Sequence, residues 1–277
     1  MLRQRVITAV VLLAALLAAA ASGRLALDAL LAVFIGAAAY EWLRLAQHPA
    51  VLCIVVAVLA SGALIASRAL SIAPPAEVVT VLTAAATLVW LAIAVRVLQG
   101  AQSGTRVPHW VSTALALLLL AATWLAAMQL LDTGAAYLLS VLGIVWLADI
   151  AAYFAGRRWG RRKLAPALSP GKTWAGVWGA IAAVLALSLL LATAAPDLPL
   201  LSTLLQQRLP LPLAMLLLTA LVALSVVGDL FESLLKRQAG AKDSSRLLPG
   251  HGGVLDRIDA AIAVAPAAAL LDLWLRR

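Results

Sequence analysis

The sequence predicts an all-α, polytopic helical membrane protein with about nine transmembrane helices in a single integral-membrane domain, residues 1–277. Three observations predict it. The mean hydropathy is +1.03. Charged residues make up 12% of the chain, against about 25% in a soluble globular domain. Apolar runs of about 20 residues, each long enough to cross a hydrocarbon core, recur along the whole chain. The runs are rich in Ala, Leu and Val and show no alternation, so they read as helices rather than barrel strands. No internal repeat is visible, which argues against a transporter built from inverted halves.

The first run, 5–22, follows Arg3 and Arg5 and ends in an alanine-rich segment similar to a signal-peptide cleavage site. It is long for a signal sequence and eight runs follow it, so it is expected to remain as a span. The second and third runs are 25–43 and 50–71; the third holds Cys53, the single cysteine. One cysteine excludes an internal disulfide and a cysteine metal cluster, and leaves the role of a small buried hydrophobe. The runs 76–98 and 109–131 complete the first five.

The sixth run, 134–155, carries Asp149 with Tyr153 one turn on, and opens into a basic loop, about 156–173, that ends Ser169-Pro170-Gly171-Lys172-Thr173. Gly-Lys-Thr is weakly similar to a phosphate-binding loop, whose earlier glycine and preceding strand are missing. Pro170-Gly171 is expected to turn the chain and set Lys172 and Thr173 at the N-terminal end of the seventh run, 174–195, where the helix dipole favours an anion.

The eighth run, 209–230, is expected to continue as a helix into a second charged loop, about 231–253. On that helix Ser225, Asp229, Glu232, Ser233 and Lys236 share one face. Asp229 lies at the hydrocarbon boundary, where an ionised carboxylate costs roughly 2.5–3.5 kcal/mol unless it is paired, bound to a cation or facing water. Gly240, Pro249, Gly250, Gly252 and Gly253 then break the helix. Successive N–H groups in such a turn form a nest for an anion, and Lys242, Arg246 and His251 add charge or donors. The ninth run, 254–275, begins with Asp256 and Asp259 on one face.

The net charge of +9 would suggest nucleic acid in a soluble protein. Here the cations flank spans and read as topology, with no nucleic acid implied. With nine spans, the N-terminus and the even-numbered loops carry 16 of the 21 Lys and Arg, and the other side carries five: Arg24, Arg68, Arg208, Arg276 and Arg277. The larger set belongs in the cytoplasm, so both charged loops face it. The four lysines, Lys163, Lys172, Lys236 and Lys242, all sit in these two loops, although the rest of the chain uses arginine. A compact ammonium suits phosphate. Asp256 and Asp259, facing Asp229 across a basic glycine turn, compose a phosphate-and-metal site: Mg²⁺ takes one or two carboxylates plus phosphate oxygens and water, and cations with backbone N–H groups neutralise the rest of a polyphosphate.

These residues resemble the signature of the phosphatidate cytidylyltransferases, or CDP-diacylglycerol synthases. It runs without a break through Ser233, Lys236-Arg237, Lys242-Asp243, Pro249-Gly250-His251-Gly252-Gly253, Asp256-Arg257 and Asp259. The resemblance extends to "QRVITAVVL" near the start and to "WLADIAAYFAGRRWG". One departure is that many members have a further Lys and a Glu where this chain has Gly171 and Ala175. The resemblance implies that CTP and phosphatidate give CDP-diacylglycerol and pyrophosphate, with Mg²⁺ required and K⁺ as an optional second cation. It implies a multi-pass protein of the bacterial cytoplasmic (inner) membrane, and it admits a homodimer.

Within that chemistry Asp229 and Asp256 are expected as metal ligands, with Asp259 as a third carboxylate ligand or a group that supports the ligands from behind. Lys236, Arg237, Lys242 and Arg257 are expected on the phosphates, and His251, Gly252 and Gly253 around the nucleotide. Ser233, Lys172, Thr173 and Asp149 complete the expected substrate contacts. Two other classes are weighed: another CTP-using membrane lipid enzyme, of the polyprenol or phytol kinase type, and a transporter. The uninterrupted signature argues against the first. Polar groups clustered at one face, rather than along several spans, argue against the second.

Overall fold

The structure, a computed structural model, describes residues 2–100 and 106–276; Arg277 and the side chains of Arg3 and Arg5 lie outside the described residues. Each predicted run corresponds to one long helix and overruns it by two residues at most: α1 (Leu2–Ser22), α2 (Arg24–Leu45), α3 (Ala50–Ala69), α4 (Ala76–Gly100), α5 (His109–Thr133), α6 (Ala135–Trp159), α7 (Trp174–Ala194), α9 (Leu211–Gln238) and α10 (Leu255–Leu275). The short helix α8 (Leu201–Arg208) and the strands β1 (Lys163–Ala165) and β2 (Ser169–Thr173) were not foreseen. Eight helices, α2 to α7 with α9 and α10, have the length and hydropathy to cross a membrane, and α1 adds a shorter apolar stretch, Val10–Ser22. The chain is a multi-pass, all-α membrane protein. Pro49, Pro108 and Pro210 stand immediately before α3, α5 and α9, where a missing N–H costs no helical bond.

α10 is the most buried span and packs against α9, α5, α4 and α6. Its buried face is largely alanine (Ala260, Ala263, Ala265, Ala267, Ala268, Ala269), and small side chains let neighbouring backbones come close where lipid supplies no hydrophobic drive. Pro266 interrupts its hydrogen-bond ladder, because it offers no N–H to the carbonyl of Ile262. Trp90 of α4 donates Nε1–H to that carbonyl at 3.1 Å, and Thr123 of α5 adds its hydroxyl at 3.4 Å. Trp90 and Trp42 also flank Phe231 of α9, at centroid distances of 5.7 and 6.0 Å. Tilted and edge-on aromatic contacts of this kind are favourable. α3 lies at the periphery and exposes Val51, Ile54, Val55, Val58 and Leu59, an apolar face suited to lipid.

The bundle has two polar ends. At one, His109 Nδ1 lies 3.1 Å from the Ala46 carbonyl, Val107 N–H donates to Gln238 at 3.1 Å, and Arg237 Nε reaches the Leu168 carbonyl at 3.5 Å. These contacts gather the end of α2, the start of α5, the end of α9 and the β1–β2 hairpin. At the other end Asp28 of α2 is 2% exposed and accepts from Arg24 at 2.8 Å and Arg68 at 2.9 Å, while Arg68 also meets Asp132 of α5 at 3.0 Å.

β1 and β2 pair antiparallel, Lys163 opposite Thr173 and Ala165 opposite Ser169. The expected turn at Pro170-Gly171 therefore falls inside β2, and the chain reverses at 166–168, where Leu168 N–H donates to Ala165 at 3.1 Å. Both strands of a two-stranded sheet are edges, so Pro170 breaks no necessary bond. Thr173 then caps α7, accepting from Gly176 N–H at 3.1 Å.

Candidate active site

α9 and α10 approach closely at Gly228, where a Cβ would lie 2.6 Å from the Asp259 carbonyl. That approach brings Asp229 and Glu232 of α9 to Asp259 of α10, with one carboxylate oxygen from each within 4.8 Å of the others. Asp229 and Glu232 are three residues apart and share a helix face. Glu232 is 3% exposed, neither of its oxygens has a hydrogen-bond partner, and its charge is met by an ion pair with Lys236. Asp229 meets Lys172 Nζ at 2.7 Å, and Ser233 Oγ lies 3.5 Å from it. Three converging carboxylates repel one another, and Lys236 and Lys172 offset part of that charge from the flanks. Carboxylate oxygens are the hard ligands that a divalent cation such as Mg²⁺ takes, one or two of them directly with phosphate oxygens and water completing its shell.

Asp256, expected as a ligand, is not among the three converging oxygens; it lies beside Glu232, and Lys236 pairs with both. Asp256 lies in the first turn of α10, and helical side chains lean toward the N-terminus. Its carboxylate accepts from Lys236 at 2.7 Å, Gly253 N–H at 2.7 Å, and Ser244 N–H and hydroxyl at 3.0 Å each. The glycine turn is thus a nest already filled by the protein's own anions. Gly252, at φ +85°, has a backbone conformation that side chains rarely adopt, and a Cβ on it would meet Asp256 at 2.5 Å.

The second anion in the nest is Glu41 of α2, which the sequence reading missed. It is 0% exposed and accepts from Ser245 Oγ at 2.5 Å, Leu255 N–H at 2.6 Å, Val254 N–H at 2.9 Å and Ser244 Oγ at 3.0 Å. The signal that could have found it is the one that singled out Asp229: a carboxylate inside an apolar run must have partners.

The other expected residues lie around these groups. Arg257 is exposed and folds back onto the His251 carbonyl, at 3.1 Å from Nε and 2.5 Å from Nη2. His251 has its N–H on Leu248 at 2.8 Å and its Nδ1 buried without a partner. Lys242 and Arg237 are exposed at the same end of the bundle. A cavity of about 670 Å³ opens between α6, the hairpin, α7 and α9. Asp149, Tyr153, Arg157, Lys163, Lys172 and Asp229 give its polar lining; Ala148, Ala152, Val177 and Val226 give apolar walls. Lys172 bridges the hairpin to α9, with Nζ also 3.4 Å from the Val226 carbonyl. Cations beside carboxylates at the rim of an apolar cavity suit an amphiphilic phosphate.

A model of the cytidylyltransferase family matches residues 3–274. A phosphatidate cytidylyltransferase of Pseudomonas aeruginosa is 40% identical over 283 residues, covering 99% of this chain and 97% of its own. Proteins of the same name align over shorter segments: that of Haemophilus influenzae is 49% identical over 129 residues, 47% of this chain and 43% of its own, and that of Brucella suis is 51% identical over 136 residues, 48% and 44%.

Proposed function

The chain belongs to the cytidylyltransferase family, and from that premise we propose that it converts CTP and phosphatidate to CDP-diacylglycerol and pyrophosphate. It is a nucleotidyltransferase of phospholipid biosynthesis. A phosphatidate phosphate oxygen attacks the α-phosphorus of CTP, a P–O bond forms, and the bond to the β-phosphate oxygen breaks as pyrophosphate leaves. The lipid phosphate is itself the nucleophile, so the protein contributes positioning and charge neutralisation.

The observation that carries this reading is the meeting of Lys172 with Asp229 where a cavity with apolar walls reaches the carboxylate cluster. Acyl chains can stay between helices while the headgroup meets aqueous CTP. Lys172 and Lys236, with Arg237 at the end of α9, Lys242 in the loop that follows and Arg257 at the start of α10, offset the charge of the reacting phosphates. Asp149 lines the same cavity. Thr173 caps the start of α7, Ser233 lies beside Asp229, and His251, Gly252 and Gly253 shape the turn. Asp229, Glu232 and Asp259 would hold Mg²⁺, which supplies further charge neutralisation on the phosphates. The site faces the cytoplasm, where CTP is made, in the inner membrane of a bacterium.

The test is pyrophosphate release from CTP by the purified protein in detergent–lipid micelles, with and without phosphatidate. Release that requires phosphatidate, with CDP-diacylglycerol recovered from the lipid phase, is the expected result. CTP turnover on a polyprenol or phytol instead would transfer the site to a lipid kinase.

A further inference from the structure

We propose that Glu41 is a positioning residue for the transfer reaction: from α2, its carboxylate locks the glycine turn and the start of α10, and so sets Asp256, Lys236 and Glu232. The inference rests on the cytidylyltransferase reading above.

The geometry is a closed chain of contacts. Ser244 and Ser245 stand near the beginning of the turn, and Val254 and Leu255 at its end; Ser245, Val254 and Leu255 donate to the one Glu41 carboxylate, and the single Ser244 hydroxyl hydrogen is shared between Glu41 and Asp256. Glu41 therefore ties both ends of the turn to a third helix. Asp256 takes the remaining donors, Ser244 N–H and Gly253 N–H, and meets Lys236 at 2.7 Å; Lys236 in turn pairs with Glu232. Gly253 makes room for this clasp, since a Cβ there would lie 2.5 Å from both Glu41 oxygens.

The position calls for charge, not only shape. Every group facing Glu41 is a donor, and two are backbone N–H groups at the start of α10, where the helix dipole favours an anion. A glutamine of the same size must turn its own N–H₂ toward at least one of them. Adhesion alone would not require this residue, because α2 already packs on α9 through Trp42 and Phe231, and a buried charge is a costly way to join helices. What the carboxylate supplies is the conformation of the turn. Asp28 offers an internal comparison: it lies on the same helix, equally buried, and holds Arg24 and Arg68 at the opposite end of the bundle.

The experiment measures kcat, KM for CTP and detergent melting temperature in the wild type and in Glu41→Gln, Glu41→Asp and Asp28→Asn. Folded Glu41→Gln is expected to lose about 10- to 100-fold in kcat, the scale of a misplaced reacting group, with a smaller change in KM. Glu41→Asp, which keeps the charge, should recover part of that loss. Asp28→Asn should lower the melting temperature and leave kcat at the wild-type value. If Glu41→Gln does not purify folded, Ser245→Ala takes its place; it removes one donor and should show the same split at smaller size. Wild-type kcat in the folded variant, or equal kcat losses in Glu41→Gln and Asp28→Asn, would overturn the proposal. A wild type that makes no CDP-diacylglycerol would instead remove the functional reading on which it rests.

Discussion

Lys172 is a partner of Asp229, not merely one more cation of a charged loop. If it were there only to orient the chain, Lys172→Ala would be silent, because Arg157, Arg158, Arg161, Arg162 and Lys163 remain nearby. A charge-assisted contact at the reacting phosphates predicts otherwise. Lys172→Ala should lower kcat/KM by about 10- to 100-fold, and Lys172→Arg should restore only part of it, since a guanidinium cannot act as the same point charge. Steady-state kinetics in both substrates checks this. A second pair of variants separates the carboxylates by role. In Glu232→Gln the Mg²⁺ concentration for half-maximal activity should rise by about 10-fold or more, as when a metal ligand is weakened. In Asp256→Asn it should stay in place while maximal turnover falls, because Asp256 orders Lys236 and the turn. A Mg²⁺ titration of each variant, begun from chelator-treated protein, distinguishes the two.

Among the elements, α10 depends on help from α4. With Pro266 in place, the Ile262 carbonyl has Trp90 as its nearest donor, so Trp90→Phe should destabilise the protein by about 1–3 kcal/mol, the cost of leaving a buried acceptor with only the longer contact to Thr123. In a Pro266→Ala background the restored N–H can serve that carbonyl, and the same Trp90→Phe change should cost less. Thermal unfolding of the four proteins in detergent gives the coupling, and strict additivity would contradict this account of the kink. The long helices were legible in the sequence because a span must be apolar along its whole length, and the continuation of α9 to Gln238 followed from polar residues kept on one face. The hairpin was not legible: three and five residues are too few to show a period, and the pairing of Lys163 with Thr173 is settled by tertiary placement. The acidic cluster was legible in part. Asp229 and Asp259 were singled out, whereas the convergence of Glu232 with them depends on how closely α9 and α10 approach at Gly228, a distance no spacing reveals.

For the whole molecule, the alternation of helices places the hairpin, the glycine turn and the end of α2 together at one end, and the Arg24–Asp28–Arg68–Asp132 network at the other. Combined with the excess of Lys and Arg on the first side, this predicts that a reporter fused after residue 277 reports the non-cytoplasmic side, and one inserted after Gln47 the cytoplasm. A C-terminal reporter active in the cytoplasm would mean that one of the nine helices does not cross. The site end also has a history in time. Glu41 belongs to the second helix made, yet its donors lie more than 200 residues later in the chain. At about 5–20 residues per second, the ribosome needs roughly 10–40 s to deliver them. For that interval the carboxylate must wait at the water boundary or borrow a partner, and the glycine turn cannot take its shape. Enzyme activity is thereby withheld from any chain whose last helix has not been inserted, so a prematurely terminated product stays inert in the bilayer.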